Sequence, residues 1–313
     1  MGLLDNIRDR SKKDKKRIIL PEGDDKRVAE AAGYLTKNGM AEIVLLKRGE
    51  KVERFDEMVS EFAEIRRMHK KEMTRTDIER LFNEKSVYIA GMMVRLGMAD
   101  GFVAGAANET AEVARVAIYC VTIDEAIGVM SGAFVMVIPD SDYGHKGTFI
   151  FSDCAIVPFP KKEQLAGIAI SGAKLADKIL RVPSRVAMLS YSTKGSAATS
   201  DLALVRWVVE SVRMSHPEIN IDGEIQVDAA LDPDAAKIKH SIAGSSVAGR
   251  ANVLIFPNLD SGNIAYKLTQ RLAKARAVGP ILLGLKKPCC DLSRACSTED
   301  IIDAVAITSV MAQ

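Results

Sequence analysis

Short runs of apolar, largely β-branched residues recur along the chain. They are Ile18-Ile19-Leu20, Ile43-Val44-Leu45-Leu46, Gly101-Phe102-Val103-Ala104, Phe134-Val135-Met136-Val137-Ile138, Val186-Ala187-Met188-Leu189, Val253-Leu254-Ile255-Phe256 and Ile281-Leu282-Leu283. Each has the length and character of a strand buried on both faces. Between most of them, apolar residues fall three or four apart over 26–38, 86–98, 110–121, 162–180, 201–216 and 263–277, which predicts helices. Strand alternating with helix predicts an α/β protein with mainly parallel sheets. Two more segments, 148–151 and 225–227, are flanked by polar turns and predict sheet-edge strands or an antiparallel pair.

A chain of 313 residues exceeds the size at which a single core stops growing, so two domains are expected. No repeat, low-complexity tract or Gly/Ser linker marks the border between them. With 48% apolar and 27% charged residues the composition is that of an ordinary globular protein. A formal net charge of +2 falls far short of the basic excess that a nucleic-acid partner demands. Cys120, Cys154, Cys289, Cys290 and Cys296 form no CxxC pair, and His69, His145, His216 and His240 have no metal-ligand spacing, so no metal site is expected. Scattered, odd-numbered cysteines suit a reducing cytoplasm. Residues 1–17 are poor in apolar side chains and end in a mixed-charge run, which is not the order of a secretory signal and reads as a solvated helix face. No run approaches the roughly 20 apolar residues that span a bilayer, so no membrane association is expected.

In open α/β sheets the chemistry lies just beyond the carboxyl ends of the strands. After Leu189 comes Ser190-Tyr191-Ser192-Thr193-Lys194-Gly195-Ser196, hydroxyls, a lysine and a glycine ahead of a helix. Such a loop can turn N–H groups and a cation toward an anion, or can simply cap the helix behind it. It lacks the spacing of a P-loop, and no GxGxxG follows any strand, which weakens nucleotide hydrolysis and dinucleotide binding as readings. After Gly284 the chain continues Leu285-Lys286-Lys287-Pro288-Cys289-Cys290-Asp291-Leu292-Ser293-Arg294-Ala295-Cys296-Ser297-Thr298-Glu299-Asp300. Ser297 is placed as an N-cap with Asp300 three residues on, so Asp300 is a capping carboxylate or a catalytic one. Cys296 reads as a nucleophile at a helix start or as a small buried residue. Arg66 and Arg115 fall inside helical patterns; a helical arginine is usually solvated or ion-paired, yet a guanidinium fork is also the best grip on phosphate oxygens.

Several longer blocks stand in order along the chain: 19–23 (Ile-Leu-Pro-Glu-Gly), 92–106, Met188-Leu189-Ser190-Tyr191-Ser192-Thr193-Lys194-Gly195-Ser196-Ala197, 221–230, 244–267, and 279–294 followed by Asp300-Ile301. Together these resemble the phosphate acetyltransferase family, one that also includes phosphate butyryltransferases. The resemblance spans nearly the whole chain and is densest from Met188 onward.

The resemblance implies two α/β domains like those of isocitrate and isopropylmalate dehydrogenases, with the active site in a cleft between them and a homodimer as the usual assembly. The C-terminal helix would return to the first domain, giving 1–125 plus 286–313 and 126–285. It implies reversible acetyl transfer between acetyl-CoA and inorganic phosphate, giving CoA and acetyl phosphate, as in acetate metabolism, with coenzyme A a substrate and no further cofactor. Asp300 would take the proton of the coenzyme A thiol, and the thiolate would attack the acyl phosphate directly. Ser293 and Arg294 would complete the catalytic set. Arg115, Arg66 or its neighbour Arg67, and Ser192, Thr193, Lys194 and Gly195 would bind phosphate or acetyl phosphate. The chain departs from the family at Ala295, where glycine is common, at Val116, where proline is, and after Arg66, where it runs about two residues long. The stretch 46–62 looks shortened. Open alternatives are a phosphate butyryltransferase, a non-catalytic domain that binds acyl-CoA or acetyl phosphate, and a decarboxylating dehydrogenase of the same fold.

Overall fold

The computed structural model describes residues 2–197 and 199–313. In chain order it begins with α1 (Leu3–Lys13), β1 (Arg17–Leu20), α2 (Lys26–Lys37), β2 (Glu42–Leu45), α3 (Phe55–Met68), α4 (Arg75–Glu84) and α5 (Ser86–Arg95). There follow β3 (Gly101–Ala104) and α6 (Thr110–Val116), which runs into a π-helical turn (Ala117–Val121). Next are β4 (Ser131–Val137), α7 (Tyr143–Lys146), β5 (Thr148–Ser152), α8 (Lys162–Leu180), β6 (Arg185–Leu189) and α9 (Ser200–Ser215). The chain continues with β7 (Asn220–Ile225), α10 (Val227–Leu231), α11 (Pro233–Ile238), β8 (Val253–Ile255), α12 (Leu259–Leu272) and β9 (Arg276–Leu283). It closes with β10 (Cys289–Asp291) and α13 (Thr298–Ala312).

Two compact units result: Met1–Ile123 with Leu285–Gln313, and Asp124–Gly284. In the first, the strands run β2-β1-β3-β10 and every pairing is parallel. In the second they run β9-β4-β5-β8-β6-β7; β4 is antiparallel to both β9 and β5, and the remaining pairs are parallel.

α13 shows why the first unit closes as it does. From Ile301 to Val310 every residue is buried, and a helix apolar on all sides must be surrounded. It packs on α1, α2, β1, β3 and β10. Its buried Asp303 is paired by Arg8 of α1, whose Nε lies 2.8 Å from Oδ1. An isolated buried carboxylate would cost several kcal/mol, so this pairing fixes α1 against the C-terminal helix.

The strand runs predicted from apolar character all form, and the differences have local causes. The segment 225–227 is not a strand of its own: β7 ends at Ile225 and α10 begins at Val227. The strand lies upstream, in Asn220-Ile221-Asp222-Gly223-Glu224-Ile225, where buried carboxylates at Asp222 and Glu224 hide the apolar pattern. The segment 148–151 becomes β5, interior to the second sheet between β4 and β8 and not paired with β7. The helix expected over 263–277 begins at Leu259, where the Asn258 side chain caps Ser261 N–H at 3.0 Å, and it stops at Leu272. Arg276 and Ala277 belong to β9. β10, three residues long, had no apolar run to announce it. No helix among the described residues is long and apolar enough to cross a membrane.

Candidate active site

The turn that follows β10 carries Ser293 and Arg294, both exposed. Ser293 closes the turn: its Oγ accepts from Ala295 N–H at 3.2 Å, and its carbonyl accepts from Cys296 N–H at 2.8 Å. Ser297 then caps α13. Its Oγ accepts from Asp300 N–H at 3.2 Å and donates to Asp300 Oδ2 at 2.8 Å, while Ser297 N–H reaches the same oxygen at 2.9 Å. This is a capping box with a hydroxyl in the usual place and aspartate in place of glutamate. Asp300 is half-buried, at the first turn of α13.

The turn is held from outside by Arg27, near the start of α2. One guanidinium nitrogen of Arg27 donates to the Arg294 and Cys296 carbonyls, both at 2.8 Å, and the other to the Ala106 carbonyl at 2.9 Å. Asp25, the N-cap of α2, braces that guanidinium at 2.7 Å. The Cys296 thiol is buried, and burial pushes it up to about 11, with Arg27 opposing. Burial thus disfavours the thiolate that a nucleophile would need.

A second brace comes from Glu22, which follows β1. Its buried carboxylate accepts the N–H groups of Gly105, Ala106, Ala107 and Asn108, and the Asn108 amide, all within 3.0 Å. The loop after β3 is thereby wrapped around one side chain. Gly105 is required there: its φ is +110°, and a Cβ would fall 2.3 Å from Asp291 Oδ1 and 2.5 Å from Leu292 N. Asp291 itself is buried with neither carboxyl oxygen at hydrogen-bonding geometry to a partner. Burial pushes it up to about 7, against the smaller influence of the nearby Thr110 hydroxyl and Leu292 N–H.

Arg66 and Arg115 meet at one tyrosine. The Arg66 guanidinium lies 5.3 Å from the centre of the Tyr119 ring, in the π-helical turn, while Arg115 on α6 lies within electrostatic reach of the same side chain. Arg67 points elsewhere, to an exposed pair with Glu64 at 2.6 Å. Geometry thus favours Arg66 over Arg67 as the inward guanidinium; its Nε is buried without a hydrogen-bond partner. Arg115 makes a long contact, 3.4 Å, to Glu112, whose carboxylate is already occupied by Lys85 and the Tyr88 hydroxyl, and that same tyrosine also acts on Arg115. Among the described residues no hydrogen bond or ion pair joins these arginines to the turn at 293–300.

The loop at 190–196, in the second unit, is organised around anions of its own chain. Ser192 and Thr193 are buried. Glu224 Oε1 accepts from Gly195 N–H at 2.7 Å, and Arg206 grips the same carboxylate at 2.8 and 2.9 Å. Burial works to raise Glu224, yet Arg206 and the Gly195 N–H hold it down at about 2. Thr193 exchanges hydrogen bonds with Gln226, and the Lys194 ammonium pairs with Asp222 at 2.5 Å. The donors expected to face a bound phosphate are engaged internally, and Lys194 alone among 192–194 keeps an appreciable part of its side chain, 29%, in solvent.

The sequence pattern of the phosphate acetyl/butaryl transferases matches residues 2–309. The chain belongs to that family. The phosphate acetyltransferase of Thermoanaerobacterium thermosaccharolyticum is 41% identical to it over 333 aligned positions, covering both chains completely. A phosphotransacetylase from Streptococcus pyogenes superposes with a TM-score of 0.91 at 35% identity, covering 100% of this chain and 99% of the other. The fold reaches further, to a Salmonella typhimurium protein assigned as a 4-hydroxythreonine-4-phosphate dehydrogenase. That likeness has a TM-score of 0.52 at 11% identity over 95% and 99% of the two chains.

In this phosphate acetyl/butaryl transferase no sequence motif marks the braces Arg27 and Glu22 or the buried Asp291 as site residues. Glu22 lay inside the block Ile19-Leu20-Pro21-Glu22-Gly23, directly after a strand, and that position was the available signal. Arg27 carries none, since its local partner Asp25 reads as an ordinary helix cap and its contacts to the turn lie 267 and 269 residues away. Among the described residues no group of three or more His, Cys, Asp or Glu side chains is arranged to hold a metal ion.

Proposed function

We propose that this enzyme moves an acetyl group between acetyl-CoA and inorganic phosphate by direct attack, with Asp300 as the base. The observation that carries the reading is the turn itself: Ser293 and Arg294 exposed side by side, and Asp300 fixed three positions past its cap on the same segment. In the direction of thioester synthesis, the coenzyme A thiol gives its proton to the Asp300 carboxylate. The sulfur attacks the carbonyl carbon of acetyl phosphate, the bond from that carbon to the bridging oxygen breaks, and phosphate leaves. The reverse direction returns the proton from Asp300 to the departing thiolate.

A thiol with a pKa near 8.5 is mostly protonated at neutral pH, so a base within hydrogen-bond reach contributes about 10²–10⁴-fold. Ser293 and Arg294 would stabilise charge on the carbonyl oxygen, and Arg66 and Arg115 charge on the phosphate. The buried Cys296 thiol supports direct attack over an acyl-enzyme route. Ser192, Thr193 and Gly195 shape their loop, leaving Lys194 as its contact to substrate. On this reading the enzyme works in the cytoplasm as a homodimer, with coenzyme A as substrate and no other cofactor.

The test is spectrophotometric: thioester formation from acetyl phosphate and coenzyme A, with butyryl phosphate in parallel and a chelator in both. Acetyl turnover that exceeds butyryl turnover and needs neither nucleotide nor metal is the expected result. Absence of thioester would leave a binding domain, and faster butyryl transfer would exchange one acyl group for the other.

A further inference from the structure

The second unit bears a group of cations at the end of its sheet opposite the 190–196 loop. Arg185 opens β6, Arg250 stands just before β8, and His145 and Lys146 just before β5. These three strands are neighbours in parallel register, with Val253 aligned to both Ile150 and Val186, so the four basic residues gather at one strand edge. The Arg185 side chain donates to the Arg250 carbonyl, which lays one arginine on the other's backbone. Among the described residues none of the four is in an ion pair, although nearby arginines such as Arg206 and Arg213 each have a carboxylate. The crowding is felt: burial and then Arg250 push the Arg185 guanidinium down, and burial, Lys146 and Arg185 lower His145.

Beside this edge is a cavity of about 380 Å³, within the range of small-molecule sites. Pro233, Ala236, Ile242 and Ala248 give it an apolar wall, and Arg250 and Lys237 give it cations. Gly249 keeps α11 close, since a Cβ there would lie 2.7 Å from Pro233 Cα. Lys237 pairs with the exposed Asp234 at 2.8 Å and also feels Asp232, and the exposed pairing is worth little in water and easily exchanged for a ligand. An apolar wall rimmed by the Lys237 ammonium and by the Arg250 guanidinium, which has no counter-ion among the described residues, is the complement of an apolar ring that carries phosphates.

We propose that this cavity and its cationic edge bind a phosphorylated nucleoside. The base lies on the apolar wall, and the phosphates on Arg250, Arg185 and Lys237. Along β6, whose five residues span about 16 Å, the edge at Arg185 is remote from Ser190. Such a site gives the enzyme a sensor of nucleotide supply or a second hold on the nucleotide end of coenzyme A.

Calorimetric titration of the full chain with ATP tests this without reference to turnover. Binding with a Kd below about 1 mM is expected, weakening at least tenfold in Arg250→Glu and severalfold in Arg250→Ala. Arg250 is exposed, and only its backbone is hydrogen-bonded among the described residues, its carbonyl by Arg185, so turnover at saturating substrate should match the parent. Displacement of ATP by adenosine 3′,5′-bisphosphate would assign the site to the nucleotide end of coenzyme A, and failure to displace it to free nucleotides. Absence of ATP binding, equal binding by Arg250→Glu, or inorganic triphosphate binding as tightly as ATP would each overturn the proposal.

Discussion

In the proposed mechanism Asp300 serves two demands with one carboxylate. Its Oδ2 takes both donors of Ser297, which fixes the side-chain torsions at the helix start. Replacing it with asparagine keeps the shape of the cap and removes the base. Asp300→Asn is expected to lower kcat by about 10²-fold or more with KM for acetyl phosphate little changed, measured by steady-state kinetics in the thioester direction. Turnover near that of the parent would confine Asp300 to capping. This residue was legible in the sequence because a Ser-x-x-Asp spacing is a signal carried by four adjacent positions. Lys194 was not: a lysine in a hydroxyl-rich loop looked open to an anion, and its pairing with Asp222 depends on a strand that the buried carboxylates disguised.

Among elements, the turn at 293–296 is the one whose order matters to the proposed chemistry, and it is held both by its own hydrogen bonds and from outside. Arg27 binds its carbonyls at Arg294 and Cys296 and ties them to the loop after β3 through Ala106. Arg27→Ala leaves those carbonyls without that donor and frees the turn to move. A displacement of about 1 Å in a positioned group can cost 10²-fold in rate, so kcat/KM is expected to fall by at least about tenfold. Thermal unfolding and far-ultraviolet circular dichroism should change little, because α2 keeps its buried face of Val28, Ala31, Ala32 and Leu35. Unchanged kcat/KM in that variant would show that the turn holds itself.

For the molecule as a whole, the buried Asp291 ties stability to pH. Its carboxyl sits at about 7 in the fold against about 4 in an unfolded chain. Between those values the folded protein holds a proton that the unfolded chain has lost, so stability falls as pH rises from about 4 to about 7 and levels off above. Three units correspond to at most about 4 kcal/mol. Asp291→Asn cannot titrate, and its buried amide carries a fixed penalty of about 1–3 kcal/mol at every pH. The stability difference between parent and variant should therefore shift by about 2–4 kcal/mol in the variant's favour from pH 4 to pH 8, measured by urea unfolding at each pH. Parallel pH curves would mean that Asp291 is ionised in the fold.

The sequence by itself determined the alternation of strands and helices, the cap at Ser297 and the ordered blocks that mark the family. Those are properties of neighbouring residues: apolar period, capping spacing, contiguous motifs. Tertiary structure alone decided which side chains brace the site. Glu22 meets the loop after β3 across 83 residues or more, and Arg27 meets the turn across 267, because the parallel order β1-β3-β10 sets three strand ends side by side. Glycine at 105 and the burial of Asp291 follow from that same approach, which no local pattern encodes.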